Sequence, residues 1–197
     1  MSIYTHNDLY NFVEGQRKIV GDEAFVTRRQ CNRLREMWCA SIFAQGYDRY
    51  VAPCMVEVDE LDEQRDYDFI LHTHGSTHPF QVTEALDEGR KRNYEYRNNI
   101  TGLVAGDGFV VSKYAHQRLA SVLDAKIGKN YSNSQELNIL VYANFIGNEA
   151  SWATMVNNLS SQCSHFASVW IITGAEVCCI SSGVGVYGFP QWKKISG

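Results

Sequence analysis

Apolar side chains recur at helical spacing in four segments of the chain. This pattern predicts amphipathic helices over residues 5–19, 27–45, 114–129 and 149–164. Thr5, Asn7 and Asp8 are candidate N-caps for the first helix, and Gly46 is the candidate C-terminal cap of the second. A fifth helix is predicted over residues 84–99, where charged residues are dense enough for a solvated helix.

Shorter apolar runs rich in β-branched and aromatic residues predict the strands. They cover residues 49–61, 67–73, 79–85, 137–145, 168–173 and 176–181. A Gly-Ser turn joins the second and third strands as a hairpin, and the last two form a hairpin or one bent strand about Gly174. Antiparallel strands early in the chain, followed by a strand reached through helices, predict an α/β fold: a mixed β-sheet flanked by helices on both faces.

Length and composition favour a single domain over residues 1–197, with its core at about residues 27–181. The chain has 197 residues, 45% of them hydrophobic, and only three prolines. No apolar run approaches about 18 residues and no signal-peptide pattern opens the chain, so no membrane partner and a cytoplasmic location are expected. Six cysteines without a C-x-x-C pair are expected to be reduced and buried. The oligomeric state stays open, with a homodimer among the alternatives.

A net charge of -4 argues against a protein that coats nucleic acid through bulk electrostatics. Local basic clusters can still contact phosphates. Two such clusters hold the candidate nucleic-acid-binding residues Arg28, Arg29, Arg90, Lys91 and Arg92.

The candidate chemistry lies on the hairpin of residues 67–85. Asp68 opens its first strand, and Gln81 and Glu84 lie on its second. An early helix with an acid, three meandering strands and a later helix and strand resemble the PD-(D/E)xK nuclease superfamily over residues 27–145. The resemblance implies a restriction-endonuclease-like core.

In function, the resemblance implies a Mg²⁺- or Mn²⁺-dependent nuclease, a hydrolase acting on the phosphodiesters of nucleic acid. Its metal ligands would be Asp68, Gln81, Glu84 and the helical acid Glu36, with Asp68 and Glu84 in catalytic roles. A bound divalent ion would lower the pKa of its water and stabilise charge in the transition state. The catalytic lysine of the family would be Lys126, with Lys91 as the alternative.

Two positions depart from the family pattern. Gln81 stands where an acid is expected, and its neutral oxygen is a weaker ligand for a hard cation than a carboxylate. Thr83 stands where the lysine is expected, so the lysine would have to come from a later helix. Lys126 is better placed than Lys91 because its stem borders the apolar stripe of its helix. The alternative is therefore a catalytically inactive protein of this fold with a binding or regulatory role.

Two other motifs point elsewhere. His72 and His74 form an H-x-H pair that resembles the metal-binding strand end of amidohydrolase barrels, but only 123 residues follow it, whereas such a barrel needs about 200 or more in all. The spacing of Gly183, Gly185 and Gly188 matches a dinucleotide-binding loop. No room for the required helix remains after it, so the sequence indicates a tail loop.

Overall fold

The computed structural model describes residues 1–59, 66–86, 88–90, 105–110, 115–144, 152–182 and 192–195. The helices are α1 (His6–Val20), α2 (Asp22–Thr27), α3 (Asn32–Tyr50), α4 (Ala115–Ile127) and α5 (Trp152–Cys163). The strands are β1 (Ser2–Tyr4), β2 (Met55–Val58), β3 (Phe69–Thr73), β4 (Ser76–Leu86), β5 (Glu88–Arg90), β6 (Ala105–Val110), β7 (Asn138–Asn144), β8 (Ser168–Ile172), β9 (Glu176–Ser182) and β10 (Lys193–Lys194).

Within these residues the main sheet has eight strands, in the order β1-β2-β3-β4-β7-β8-β9-β10. Strands β1 to β4 pair antiparallel, β4, β7 and β8 pair parallel, and β8, β9 and β10 return to antiparallel pairing. Strands β5 and β6 form a separate two-stranded sheet. The predicted mixed α/β fold is confirmed, whereas the restriction-endonuclease-like core is not.

Two hydrophobic cores lie on opposite faces of the main sheet. On one face α3 packs against β2, β3, β4, β8 and β9, with Phe43 among Phe69, Phe80 and Trp170. On the other face Leu119, Leu123 and Leu159 of α4 and α5 pack against β7 and β8. The alternation of side chains along β7 explains the division, because Leu140 belongs to the first core and Ile139 and Val141 to the second.

Local sequence signals account for several boundaries. Thr5 is the N-cap of α1, since its Oγ1 accepts the Asp8 N–H at 3.1 Å. The β3–β4 hairpin turns at Gly75, whose φ of 80° favours glycine. A buried chain of hydrogen bonds runs from Trp170 Nε1 to Ser168 Oγ and from that hydroxyl to Asn138 Oδ1, which ties β8 to β7.

Several predicted boundaries were wrong. The strand predicted over residues 49–61 begins only at Met55, because α3 extends to Tyr50. Gly46 does not end α3, which continues to Tyr50; the glycine lies inside the helix, where the helix backbone closely approaches β9. The helix predicted over residues 84–99 is not found in the described part of that segment. Strand β4 continues to Leu86 there and β5 follows, because pairing with β7 runs in register as far as Asn144 and prevails over the local charge pattern.

The cysteine prediction is confirmed, since all six cysteines are free and buried. Among the described residues, no helix is both long enough and apolar enough to span a membrane. The single-domain prediction is not tested.

Candidate functional site

The strand β4 carries a polar cluster on the face that it turns toward α4. Asp68 precedes β3 and lies beside Gln81 and Val82. Its Oδ2 accepts the Val82 N–H at 2.7 Å, and its Oδ1 accepts from Gln81 Nε2 at 3.2 Å. The carboxylate is therefore bound to the backbone and to a side chain of β4.

Lys126 reaches this cluster from α4. Its Nζ donates to Gln81 Oε1 at 2.7 Å and to the Val82 carbonyl oxygen at 3.1 Å. The Tyr131 hydroxyl donates to the same Gln81 oxygen at 3.2 Å. Lys126 and Gln81 are each only 8% exposed, so the ammonium group lies inside the protein with oxygen acceptors around it.

Burial shifts the pKa values of the cluster. It lowers the pKa of Lys126 to about 8, against a smaller raising effect of Asp68. Burial raises the pKa of Asp68, although the Val82 N–H, Lys126 and Arg33 oppose the change. Burial also raises the pKa of Tyr131 to about 12, with Asp68 and Asp66 adding to the shift.

A cleft of about 410 Å³ opens on the opposite face, between α3 and the carboxyl ends of β4 and β7. The apolar and aromatic side chains that line it are Phe25, Val26, Trp38, Cys39, Val82 and Tyr142. The polar lining residues are Arg17, Asn32, Arg35, Glu36, Thr83, Glu84 and Asn144.

Glu84 and Glu36 belong to this cleft and not to the polar cluster. Glu84 Oε1 accepts from Asn144 Nδ2 at 3.0 Å, and Glu36 Oε2 lies 3.3 Å from Arg33 Nη1. Gln81 and Glu84 are three residues apart on one strand, and alternation places them on opposite faces. The four predicted metal ligands are thus divided between the two faces of β4.

Gln81 and Asp68 are the predicted ligands that the structure does bring together. The oxygen of Gln81 is already bound by Lys126 and Tyr131, so Lys126 supplies the positive charge beside these two oxygen-bearing side chains. No three His, Cys, Asp or Glu side chains of the described residues lie together in a way that could hold a metal ion. The catalytic and metal-binding roles of Asp68, Glu84 and Glu36 remain untested predictions.

Arg33 and Arg35, which follow Arg28 and Arg29 in the same basic stretch of the sequence, bind the protein itself. Arg33 donates to the carbonyl oxygens of Asp59 and Asp68, each at 2.7 Å, and so joins α3 to the sheet. Arg35 donates to the carbonyl oxygens of Phe25 and Arg28 and to the Asn32 side chain. Backbone binding of this kind fixes the corner between α2 and α3.

The other candidate phosphate-binding residues are exposed or outside the described part of the chain. Arg28 and Arg29 are exposed just after α2. Arg90 lies in β5, of which only the backbone is described, and Lys91 and Arg92 lie outside the described residues. Their contact with nucleic acid stays a prediction.

His72 and His74 of the H-x-H motif do not form a joint site. His72 Nε2 lies 2.7 Å from Glu57 Oε2, on the outer face of β3, whereas His74 is exposed in the hairpin turn beyond the strand. The glycines 183, 185 and 188 lie outside the described residues.

Sequence reasoning missed the aromatic residues of the cleft. Trp38 lies within the helix predicted over residues 27–45 and Tyr142 within the strand predicted over residues 137–145, where apolar side chains are explained by packing alone. The one available signal was the placement of Asn144 and Glu84, polar residues near the ends of strands.

Comparisons with known proteins give one structural likeness. No family model matches the chain, and no curated protein sequence matches it. Among solved structures, the chain is similar to a protein of unknown function from Pseudomonas aeruginosa, described as belonging to the monooxygenase superfamily. The identity is 15%, the match covers 96% of this chain and 93% of that chain, and the TM-score is 0.44. A likeness at this level transfers no activity to the chain.

The site geometry does not support the family suggested by the sequence, because the predicted metal ligands lie on opposite faces of β4. The matched protein is described as a monooxygenase-superfamily member and not as a PD-(D/E)xK nuclease. The identification with that superfamily was wrong, and so were the nuclease and hydrolase functions and the inactive-nuclease alternative drawn from it. The physical departures lie at Gln81, whose oxygen is bound by Lys126, and at Thr83, which carries no charge.

Proposed function

We propose that the protein is a small-molecule-binding domain and that its ligand occupies the cleft between α3 and the ends of β4 and β7. The observation that carries this proposal is the cleft itself. Its volume of about 410 Å³ falls within the range of roughly 300–1,000 Å³ typical of ligand pockets. Its lining is also typical, with aromatic and apolar side chains among a few polar groups.

Contacts on both walls support a preformed cleft. On the sheet side, the N–H of Val82 is bound by Asp68 and its carbonyl oxygen by Lys126. On the helix side, Arg35 binds the carbonyl oxygen of Phe25. Walls fixed before binding reduce the ordering that a ligand has to impose, which favours affinity.

The test is ligand-detected NMR with a panel of cationic, neutral and anionic organic fragments. We expect members of at least one class to bind the wild-type protein. Val82→Phe places a larger side chain at the cleft and should abolish that binding, whereas Val20→Phe makes the same change at an exposed position and should leave it intact. Circular dichroism of both variants verifies folding.

Two results would contradict the proposal. One is a panel in which no fragment binds the wild-type protein. The other is binding that survives in a folded Val82→Phe protein, which would place the ligand outside the cleft.

A further inference from the structure

The aromatic residues of the cleft form a corner. Trp38 of α3 and Tyr142 of β7 have ring centroids 5.6 Å apart and ring planes inclined at 75°. Their faces therefore point in different directions and do not form one flat stack. Aromatic faces attract organic cations through the ring quadrupole, and tryptophan does so most strongly.

The protein already pairs a cation with a ring at this cleft. The guanidinium carbon of Arg17 lies 5.3 Å from the centroid of the Phe25 ring. Arg17 is also bound to Asp22 at 2.7 Å and to Glu14 at 3.3 Å, so its charge is balanced by two carboxylates. The second basic lining residue, Arg35, directs its donors to backbone carbonyl oxygens and to Asn32.

Two carboxylates also line the cleft. Glu84 and Glu36 are both lining residues, and their charges act on the nearby Cys39 of α3. Burial raises the pKa of the Cys39 thiol, and the charges of Glu84 and Glu36 raise it further, whereas Arg35 opposes them. Glu36 is bound to Arg33 at 3.3 Å, whereas the Glu84 carboxylate accepts from the neutral Asn144 amide and would attract a cation beside it.

We propose that the cleft binds an organic ammonium ion, with its alkylated nitrogen against the rings of Trp38 and Tyr142 and with Glu84 as the counter-charge. This inference rests on the small-molecule-binding function proposed above. Rings and one or two carboxylates suit an alkylated, weakly hydrated cation. A hard metal ion instead needs six or more oxygen ligands, water among them.

Choline and its uncharged isostere 3,3-dimethylbutan-1-ol test the role of the charge. The two probes have the same shape, so a difference in affinity reports the positive charge alone. We expect choline to bind the wild-type protein about tenfold more tightly than the alcohol by isothermal titration calorimetry. This difference of about 1.4 kcal/mol lies between the contributions of exposed and desolvated cation–aromatic contacts.

Substitutions then test which side chains of the protein recognise the positive charge of choline. Glu84→Gln keeps the shape of the side chain and should weaken choline binding about tenfold while leaving the alcohol unchanged. Glu136→Gln makes the same change at an exposed position outside the cleft and should alter neither. Tyr142→Leu removes one aromatic wall and should also weaken choline more than the alcohol.

The outcomes separate this inference from the function on which it rests. Benzoate serves as the anionic probe beside choline and the alcohol. If the alcohol or benzoate binds as tightly as choline, and Val82→Phe abolishes that binding, the ammonium specificity is overturned and the small-molecule function stands. Choline binding that is insensitive to both Glu84→Gln and Tyr142→Leu also overturns the inference. If neither choline, the alcohol, benzoate nor any fragment of the panel binds, both proposals fail.

Discussion

Lys126 carries an ammonium group into the interior of the protein, on the far side of β4 from the cleft. It is 8% exposed, and its Nζ binds the Gln81 side chain and the Val82 backbone. A buried charge is tolerated only where acceptors compensate for lost water. Here two oxygen atoms accept from Lys126 Nζ, and the charge of Asp68 favours the ammonium form. The residue thus holds β4 in place against α4.

Stability should depend on pH through Lys126. Burial lowers its folded pKa to about 8, below the value of 10.5 for an ordinary lysine. Between these values the unfolded chain binds more protons than the folded one, so this residue's contribution to the free energy of unfolding rises with pH, by at most about 1.4 kcal/mol per pH unit. Urea unfolding of wild type and Lys126→Met from pH 7 to pH 10 measures the difference.

The control for this experiment is Lys18→Met, which removes an exposed lysine on α1, away from the polar cluster. The free energies of unfolding of wild type and Lys18→Met should follow parallel curves against pH. The free energy of unfolding of wild type should rise relative to that of Lys126→Met as the pH rises above about 8. If the curves of wild type and Lys126→Met are also parallel, this result contradicts the lowered pKa of Lys126.

Among the elements, α3 occupies the position that decides the packing of one face of the sheet. It lies between the sheet and α1, and its residues from Met37 to Tyr47 are almost all buried. At Gly46 the helix approaches β9 so closely that an added Cβ would lie 2.7 Å from Val177 Cγ1. The glycine is therefore required by packing and not by a helix end.

Two glycine substitutions should have opposite effects on stability. Gly46→Ala inserts a methyl group against Val177 and Ile195, and overpacking of this kind costs about 1–3 kcal/mol. Gly15→Ala lies on an exposed face of α1 with nothing within 4 Å, and its better helix propensity should stabilise the protein by about 0.5–1 kcal/mol. Thermal and urea unfolding measure both, and a stabilising Gly46→Ala would contradict the close approach.

At the scale of the whole molecule, two hydrophobic cores share one sheet. Cys39, Cys54 and Cys179 belong to the core beneath α3, and Cys163 and Cys178 to the core beneath α4 and α5. Strands β7 and β8 send alternate side chains into each core. If one core unfolds, β7 and β8 therefore lose the packing on one of their faces. The same two strands also build the other core, which is weakened as a result.

The buried thiols can report whether the two cores unfold together. Burial raises the pKa of Cys54, Cys163 and Cys179 to about 12, so native thiols are both inaccessible and protonated. We expect no reaction of the native protein with dithiobis(nitrobenzoate), and labelling of all six cysteines in one urea transition. Mass spectrometry that found Cys163 and Cys178 labelled at lower urea than Cys39 and Cys54 would contradict shared unfolding.

Much of the element pattern could be predicted because it depends on local periodicity. The helices α1, α4 and α5 and the strands β3, β7, β8 and β9 lie within a few residues of their predicted bounds. Errors occurred where tertiary contacts prevail over local preference. Gly46 looked like a helix end because its neighbour β9 is distant in sequence, and charges after Glu84 suggested a helix although β7 extends β4.

The features of the candidate site also fall into two groups, those that follow from local sequence and those that depend on tertiary contacts. The sequence by itself determined the mixed α/β class, the free and buried cysteines, and the closeness of Asp68 to Gln81, which follows from hairpin register. Only the tertiary structure decided that Lys126 binds Gln81 and that Glu84 faces the cleft with Trp38 and Tyr142. The physical reason is that spacing along a strand gives the face of each side chain, whereas the partner on that face comes from the packing of distant helices and strands.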